Sequence, residues 1–357
     1  MAAPAPIPPT LLPGDLLPPL ALPDATGAAV DLFHQSLAGL SCVLVIGRPP
    51  ADPAAAQARA AAKRARLFLV ARARPDGLPQ PEGAPVRLFD AEGRLAAGLG
   101  LAGDGVAVIS PRGRLAFLRA GMEAPGGAPE EVLEMALDLL PEPPAAPPPV
   151  LRGGAPALII PDVLEPAFIA ALLAHWEKGE KTRDRVASTA GAANAAQNIK
   201  RRTDVWLDDQ GLYATYRLRL ERRVLPELWR AYRFRAASFE MPRIGCYDAS
   251  DAGGFGAHRD NRTPYTAHRR FAMSLNLNTG AYAGGALNFP EFGPELYEPP
   301  AGGAVLFCCD LLHEAMPVTA GRRFAIFTFL TDAAGAEQEK RLIAERQAAG
   351  EKGVRFR

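Results

Sequence analysis

Residues 258–289 read HRDNRTPYTAHRRFAMSLNLNTGAYAGGALNF, and residues 304–330 read AVLFCCDLLHEAMPVTAGRRFAIFTFL. In both stretches short apolar runs alternate with Gly, Pro and Asn. That is the pattern of a sandwich, jelly roll or barrel built from many short strands. Strands are expected over 238–247, 271–277, 285–289, 304–308 and 323–330. His258 and Asp260 stand two residues apart at the head of the first stretch. On a strand, side chains at i and i+2 point the same way, so this pair can share one metal while Arg259 faces away. A third ligand has to come from another strand, and His313 lies in a suitable strand-like run further on. Two imidazoles and one carboxylate on one face of a metal leave the opposite face open, an arrangement suited to non-haem Fe(II).

Working outward, the composition is that of an ordinary globular protein. A chain of 357 residues is long enough for two domains. Its formal net charge of +1 creates no global field that would favour nucleic acid. Cys42, Cys246, Cys308 and Cys309 form no CxxC pair and sit in apolar runs. This favours reduced thiols and a cytoplasmic location over a disulfide framework. No apolar run reaches the length of a membrane span. The N-terminal MAAPAPIPPTLLPGD has neither a basic region nor a continuous apolar stretch, so no signal peptide is expected. Neither nucleic acid nor a membrane is expected as a partner.

Residues 1–12 are expected as a loose Pro-rich arm. From Gly14 onward the pattern is α/β: a strand at 41–47, a helix at 53–65, a strand at 66–70, a hairpin over 107–118 and a closing helix at 130–140. Strands alternating with helices imply a layered α/β domain, placed at 13–141. PEPPAAPPP at 141–149 reads as a stiff extended segment, with the linker at 142–149. His34 has no partner motif in this half.

The second half, 150–335, opens with a strand at 157–161. A helix over 165–178 carries Phe168, Ile169, Leu172, Leu173 and Trp176 on one stripe. His175, near the stripe's edge, is expected as a partly buried structural residue. Lys200-Arg201-Arg202 ends a polar stretch and reads as a solvated charge run, with a substrate contact in a mobile loop as the alternative. Residues 212–232 are expected as one long helix, kinked at Pro226. His268, flanked by Arg269 and Arg270, is expected on the surface. The tail 336–357 is expected to carry a charged, solvated helix.

Two resemblances add to this. Gly14-Asp15, Leu20, Leu22-Pro23-Asp24, Gly27, the run at 42–46 and the later hairpin resemble a thioredoxin-like domain of the peroxiredoxin branch. Peroxiredoxins place a reactive cysteine after that strand, where a helix N-terminus lowers its pKa. Here the segment reads Arg48-Pro49-Pro50-Ala51-Asp52-Pro53-Ala54, with no cysteine. The domain is therefore expected to be degenerate and kept for docking, dimerisation or stability. In the second half, Cys246-Tyr247, His258-Arg259-Asp260-Asn261, Leu277-Asn278, 284–291, Leu312-His313-Glu314, Pro317-Val318-Thr319, Gly321 and Arg323-Phe324 resemble the prolyl-4-hydroxylase-like branch of the 2-oxoglutarate/Fe(II) oxygenases. That resemblance implies a double-stranded β-helix (jelly-roll) core, iron held by His258, Asp260 and His313, and 2-oxoglutarate as co-substrate. Ascorbate is a candidate further cofactor.

2-Oxoglutarate requires a cation at its distal carboxylate, and a guanidinium offers a planar fork for it. The family's co-substrate arginine directly precedes an aromatic residue, which selects Arg323 over Arg322. The tyrosine matching Tyr247 bonds the same carboxylate in the family. Ala272, Ser274 and Asn276 make a partly polar face on an otherwise apolar strand, so Asn276 is a further co-substrate candidate. The hydroxylases often carry tyrosine there. Arg243 shares a strand face with Tyr247 and is a candidate substrate contact. The implied reaction is hydroxylation by O2 with release of succinate and CO2, and no general base is assigned. The substrate is a peptidyl proline, another protein side chain or a small molecule. A cupin-like metalloprotein that does not use 2-oxoglutarate and a non-catalytic binding protein are the alternatives.

Overall fold

The run SCVLVI at 41–46 is apolar at nearly every position, and it forms a strand, Ser41–Ile46, buried along its whole length. The computed structural model describes residues 10–32, 35–37, 39–73, 83–120, 129–142, 153–183 and 200–348. The chain divides into two units, Met1–Pro149 and Val150–Arg357. In the first unit, Ser41–Ile46 is the centre of a five-stranded sheet ordered Val86–Phe89, Ala65–Ala71, Ser41–Ile46, Gly105–Ile109, Leu115–Ala120. The first three strands are parallel and the last two antiparallel. A parallel pair needs a crossover, and the helix Pro53–Ala62 supplies it. Alternation splits the central strand between two cores. Cys42, Leu44 and Ile46 join Leu17, Leu22 and Leu88, while Val43 and Val45 meet Ala60, Leu133 and Leu137.

Leu11 departs from the expected loose arm. It is 2% exposed within the first of these cores, and its N–H donates to Gly98 O at 2.8 Å. Residues 1–9, His34 and the linker positions 143–149 lie outside the described residues. Asp52 caps the helix Pro53–Ala62, accepting from Ala55 N at 3.0 Å, with Pro53 in the first turn. Cys42 is buried at the strand's start, and burial pushes its thiol up to about 11, against the opposing effect of Arg66.

The second unit is mainly β. Its larger sheet runs Leu158–Ile160, Ala304–Cys308, Phe271–Asn276, Arg322–Thr331, Arg243–Asp248, Thr203–Trp206, Thr182–Arg183, with Ser238–Phe239 also paired to Arg322–Thr331. Its smaller sheet runs Lys200–Arg201, Gly254–His258, His313–Ala315, Leu287–Asn288, Leu296–Tyr297. Residues of both sheets share one core, with Tyr247, Ala272, Val305 and Phe307 from the larger and Leu287 and Ala315 from the smaller. On the other face of the larger sheet, Ile244, Met273, Leu275 and Ile326 pack against Phe168, Leu172, Trp176, Tyr216 and Leu220 of the helices. The expected helix over 212–232 is two helices, Gln210–Arg223 and Leu225–Tyr232, because Pro226 has no N–H to continue the ladder and starts a new first turn instead. No described helix is long and apolar enough to cross a membrane.

Glu165 ties these helices together. It stands at the N-terminus of the helix Pro166–Lys178 and accepts from Arg219 Nε at 3.0 Å and Arg223 Nη1 at 2.9 Å. Burial raises its pKa, but the two arginines more than offset that and hold the carboxyl at about 2, against 4.5 ordinarily. A depressed carboxyl contributes stability that is present above the unfolded pKa and lost as pH falls through the folded one. The Glu165 contribution is therefore expected to fade between about pH 4.5 and 2. In urea unfolding across that window, Glu165→Gln should start less stable and lose less with acid than the wild type; parallel pH profiles would contradict this. The first unit yields a second expectation. The protein should show no thiol-dependent peroxide reduction, and peroxide consumption that vanishes in Cys42→Ser would contradict it.

Candidate metal centre and its surroundings

His258 ends the strand Gly254–His258, and Asp260 follows in the turn beyond it. The pair is therefore not presented by one continuous strand, as the i, i+2 spacing suggested. The turn brings the carboxylate back beside the imidazole, and Asp260 N donates to Cys309 O at 3.1 Å. Arg259 faces away, its Nη2 donating to Glu291 Oε1 at 2.6 Å and its Nη1 to Asp310 O. His313 starts the neighbouring strand and is paired directly with His258 across the ladder. Nε2 of His258 lies 3.4 Å from Asp260 Oδ1, and Nε2 of His313 lies 3.4 Å from Asp260 Oδ2. Ligand atoms of all three residues lie within 4.8 Å of one another.

The protonation states suit a metal. His258 Nδ1 is 2.8 Å from Gly256 O and His313 Nδ1 is 3.0 Å from Leu311 O. Donation to these carbonyls leaves each Nε2 lone pair free. Burial lowers the His313 pKa, partly opposed by Asp260, which favours the neutral ligand form. Burial pushes the Asp260 carboxyl up, but His313 and His258 more than offset it and hold it at about 2. Phe255 stacks on His258 at 3.5 Å and 20°, and Phe307 lies 4.5 Å from the His313 ring. Two imidazoles and one carboxylate, converging inside an aromatic wall, fit a divalent first-row ion.

Arg323 lies in the same interior, 1% exposed. Its Nη2 donates to Ser274 Oγ at 2.9 Å and Asn276 Oδ1 at 2.8 Å. Nε and Nη1, both buried, have no hydrogen-bond partner among the described residues. Leaving buried donors on a cation unsatisfied is costly, so this cradle fits a carboxylate. Tyr247 is the cross-strand partner of Arg323, whose guanidinium lies 5.4 Å from the Tyr247 ring. Tyr282, which sequence reasoning missed, accepts from Asn276 Nδ2 at 2.9 Å. It sits in a Gly-rich loop where no periodicity marks it. Gly285, at φ +73°, is required beside it, since a Cβ there would meet Arg323 Cδ at 2.9 Å. Arg322 points outward, 3.6 Å from Glu177.

Other positions differ from expectation. Lys200-Arg201-Arg202 is not a uniformly solvated run. Lys200 and Arg201 pair with the strand Gly254–His258, and Lys200 Nζ lies 5.1 Å over the Phe255 ring. Arg202 is 8% exposed because Asp204 accepts from its Nε at 2.6 Å and its Nη2 at 2.8 Å. Gly245 makes room for that pair, since a Cβ there would meet both residues at 2.7 Å. Arg243 is engaged by the protein itself, 3.9 Å from Asp204 and 4.9 Å over the Trp206 ring. His268 is buried at 5% exposure rather than on the surface. Its arginine neighbours suggested solvent, yet Arg269 forks onto Glu240 at 2.5 and 2.8 Å and Arg270 reaches Asp332 at 3.2 Å. His268, Glu240 and Glu339 form a second group with ligand-like spacing. Arg269 already supplies the cation there. The tail helix, Ala333–Ala348, thus contributes Glu339 to a partly buried network instead of being wholly solvated. His175 bonds to Trp206 O at 2.9 Å, a structural role.

No family model matches the chain. Over 200 residues it is 30% identical to a PKHD-type hydroxylase of Delftia acidovorans, a match covering 53% of this chain and 81% of that protein. The chain belongs to the PKHD-type hydroxylases. A PKHD-type hydroxylase of Xanthomonas campestris is 26% identical over 208 residues, covering 53% of this chain and 84% of the relative. Among solved structures, a prolyl hydroxylase from Trichoplax adhaerens, in complex with a hypoxia inducible factor peptide fragment, matches with 18% identity. It has a TM-score of 0.41 and covers 52% of this chain and 86% of that one. As a PKHD-type hydroxylase the protein is an oxidoreductase. If His258, Asp260 and His313 are its metal ligands, Asp260→Ala should abolish Co(II) binding, because it removes the only charge and one of three donors. Co(II) titration followed by visible absorption checks this, and a wild-type dissociation constant in Asp260→Ala would overturn it.

Proposed function

We propose that the second unit, residues 150–335, is a 2-oxoglutarate- and Fe(II)-dependent hydroxylase with a double-stranded β-helix core. His258, Asp260 and His313 hold the iron. Arg323 holds the distal carboxylate of 2-oxoglutarate, helped by Tyr247 and Asn276. The observation that carries this is the pair of open nitrogens on buried Arg323, in the same interior as the His-Asp-His group. An anion of carboxylate geometry satisfies both nitrogens, which a cupin-like metal site would have no reason to keep. When bound, iron and 2-oxoglutarate supply an O2-dependent oxidation that hydroxylates a substrate C–H bond and releases succinate and CO2.

The chain's own residues bind, orient and shield. Backbone carbonyls at Gly256 and Leu311 orient the two imidazoles. Ser274 and Asn276 fix the Arg323 fork, so its open side is pre-aimed. Phe255, Phe289 and Phe307 line the histidines and limit water. The names of the solved neighbours favour a protein substrate, with a peptidyl prolyl residue first among candidates. Arg243 contacts that substrate only if the substrate displaces Asp204. Ascorbate serves as an accessory reductant. The first unit, 13–141, is a thioredoxin-like domain without peroxidase chemistry, retained for docking or dimerisation.

The test compares two adjacent arginines. Arg323→Ala removes a charge-assisted bidentate contact, which costs about 2–3 kcal/mol, or roughly two orders of magnitude in 2-oxoglutarate affinity. Fe(II) binding should change little, and Arg322→Ala should be mild. Succinate formation against 2-oxoglutarate concentration measures both variants. A larger effect at Arg322, or no succinate from the wild type with Fe(II) and O2, would overturn the assignment.

A further inference from the structure

The three candidate ligands come from two separate segments, and strand pairing constrains only part of their geometry. His258 and His313 face each other across the ladder. Asp260 lies past the end of its strand, tied to the neighbouring segment through its N–H to Cys309 O. A further tie runs through the outward-facing residue between the two ligands. Arg259 donates from Nη1 to Asp310 O and from Nη2 to Glu291 Oε1 at 2.6 Å. The other carboxylate oxygen, Glu291 Oε2, accepts from Leu312 N at 3.3 Å, the residue immediately before His313. One carboxylate thus bridges the segment carrying His258 and Asp260 to the segment carrying His313.

Glu291 is itself well anchored. The strand before it, Leu287–Asn288, pairs with His313–Ala315. Phe292 N donates to Phe289 O at 2.9 Å, closing the turn that carries Glu291. Asn288 Nδ2 bonds to Gly293 O and Glu295 O, both at 3.2 Å, which holds the loop beyond. Phe289, at the start of that turn, is 1% exposed and lies 6.3 Å from the His313 ring. The clamp therefore rests on the same packed layer that carries His313.

We propose that Glu291, acting through Arg259 and the Leu312 amide, is a positioning residue that sets the spacing of His258 and Asp260 against His313. This rests on the assignment of those three residues as the metal centre. Partners of metal-binding residues of this kind change metal affinity by roughly ten- to a hundredfold when removed. Neither Arg259 nor Glu291 belongs to the buried core, so its loss should affect the site more than the fold.

The experiment measures Co(II) dissociation constants and visible spectra for the full-length apo-protein, together with its thermal midpoint without metal. Glu291→Ala and Arg259→Met should each weaken Co(II) binding roughly ten- to a hundredfold. The double variant should be no weaker than the worse single one, because both changes break one clamp. Glu291→Gln, which keeps an acceptor for Leu312 N, should fall between. The metal-free midpoint should stay close to wild type. A merely structural role would instead lower that midpoint and leave metal affinity alone. Wild-type Co(II) affinity in Arg259→Met or Glu291→Ala, while Asp260→Ala has lost binding, would overturn the proposal by itself. Wild-type affinity in Asp260→Ala would overturn the metal assignment and the proposal together.

Discussion

An ionised guanidinium is costly to bury without acceptors, and Arg323 is among the most buried side chains of the molecule. Much of the second unit can be understood as an answer to that constraint. Ser274 and Asn276 interrupt an otherwise apolar strand and satisfy one nitrogen. Asn276 is held in turn by Tyr282 and Thr279, and Thr279 by Pro299 O. Gly285 gives up its side chain so that the arginine's stem can pass. Nε and Nη1 of Arg323 have no hydrogen-bond partner among the described residues. Open donors on a buried cation are costly, and an anion that met them would stabilise the fold by mass action.

The two faces of the larger sheet divide the work. Its outer face is apolar and packs on the helices, with the Glu165–Arg219–Arg223 network at their junction. Its inner face mixes aromatic side chains with the polar residues of the site. That inner face also carries Arg323, a buried cation with two nitrogens that have no hydrogen-bond partner among the described residues. The smaller sheet brings two of the three candidate ligands together as one cross-strand pair, His258 and His313. Short strands with tight turns make this possible, because each supplies one or two inward residues and then leaves the layer.

The first unit is organised by its central strand. A strand, a crossover helix and a hairpin enclose two separate cores on the two faces of one sheet. Asp52 caps the crossover helix at its start. Cys42 is buried, and burial disfavours its thiolate.

The sequence by itself determined the strands and helices with strong periodicity and the division into an α/β half and a mainly-β half, because alternation is a local property of the chain. It also singled out His258, Asp260 and His313 as candidates by residue type and spacing, and Arg323 by the resemblance of Arg323-Phe324 to a family motif. Tertiary structure alone decided which charged residues are buried and what they do. His268 and Arg202 looked solvated because their sequence neighbours are basic, but Glu240, far away in the chain, meets His268, and Asp204, on the strand that Arg202 leads into, forks onto Arg202 inside the fold. Tyr282 has no local signature, and Glu291 stood only within the 284–291 motif with no role of its own, since what each does depends on partners brought to it by the fold. The turn that returns Asp260 to His258 was likewise settled by the tertiary structure, through the bond from Asp260 N to Cys309 O. The physical reason is common to all of them. The cost of burying a charge or orienting a donor depends on its partners in space, and sequence separation does not encode those partners.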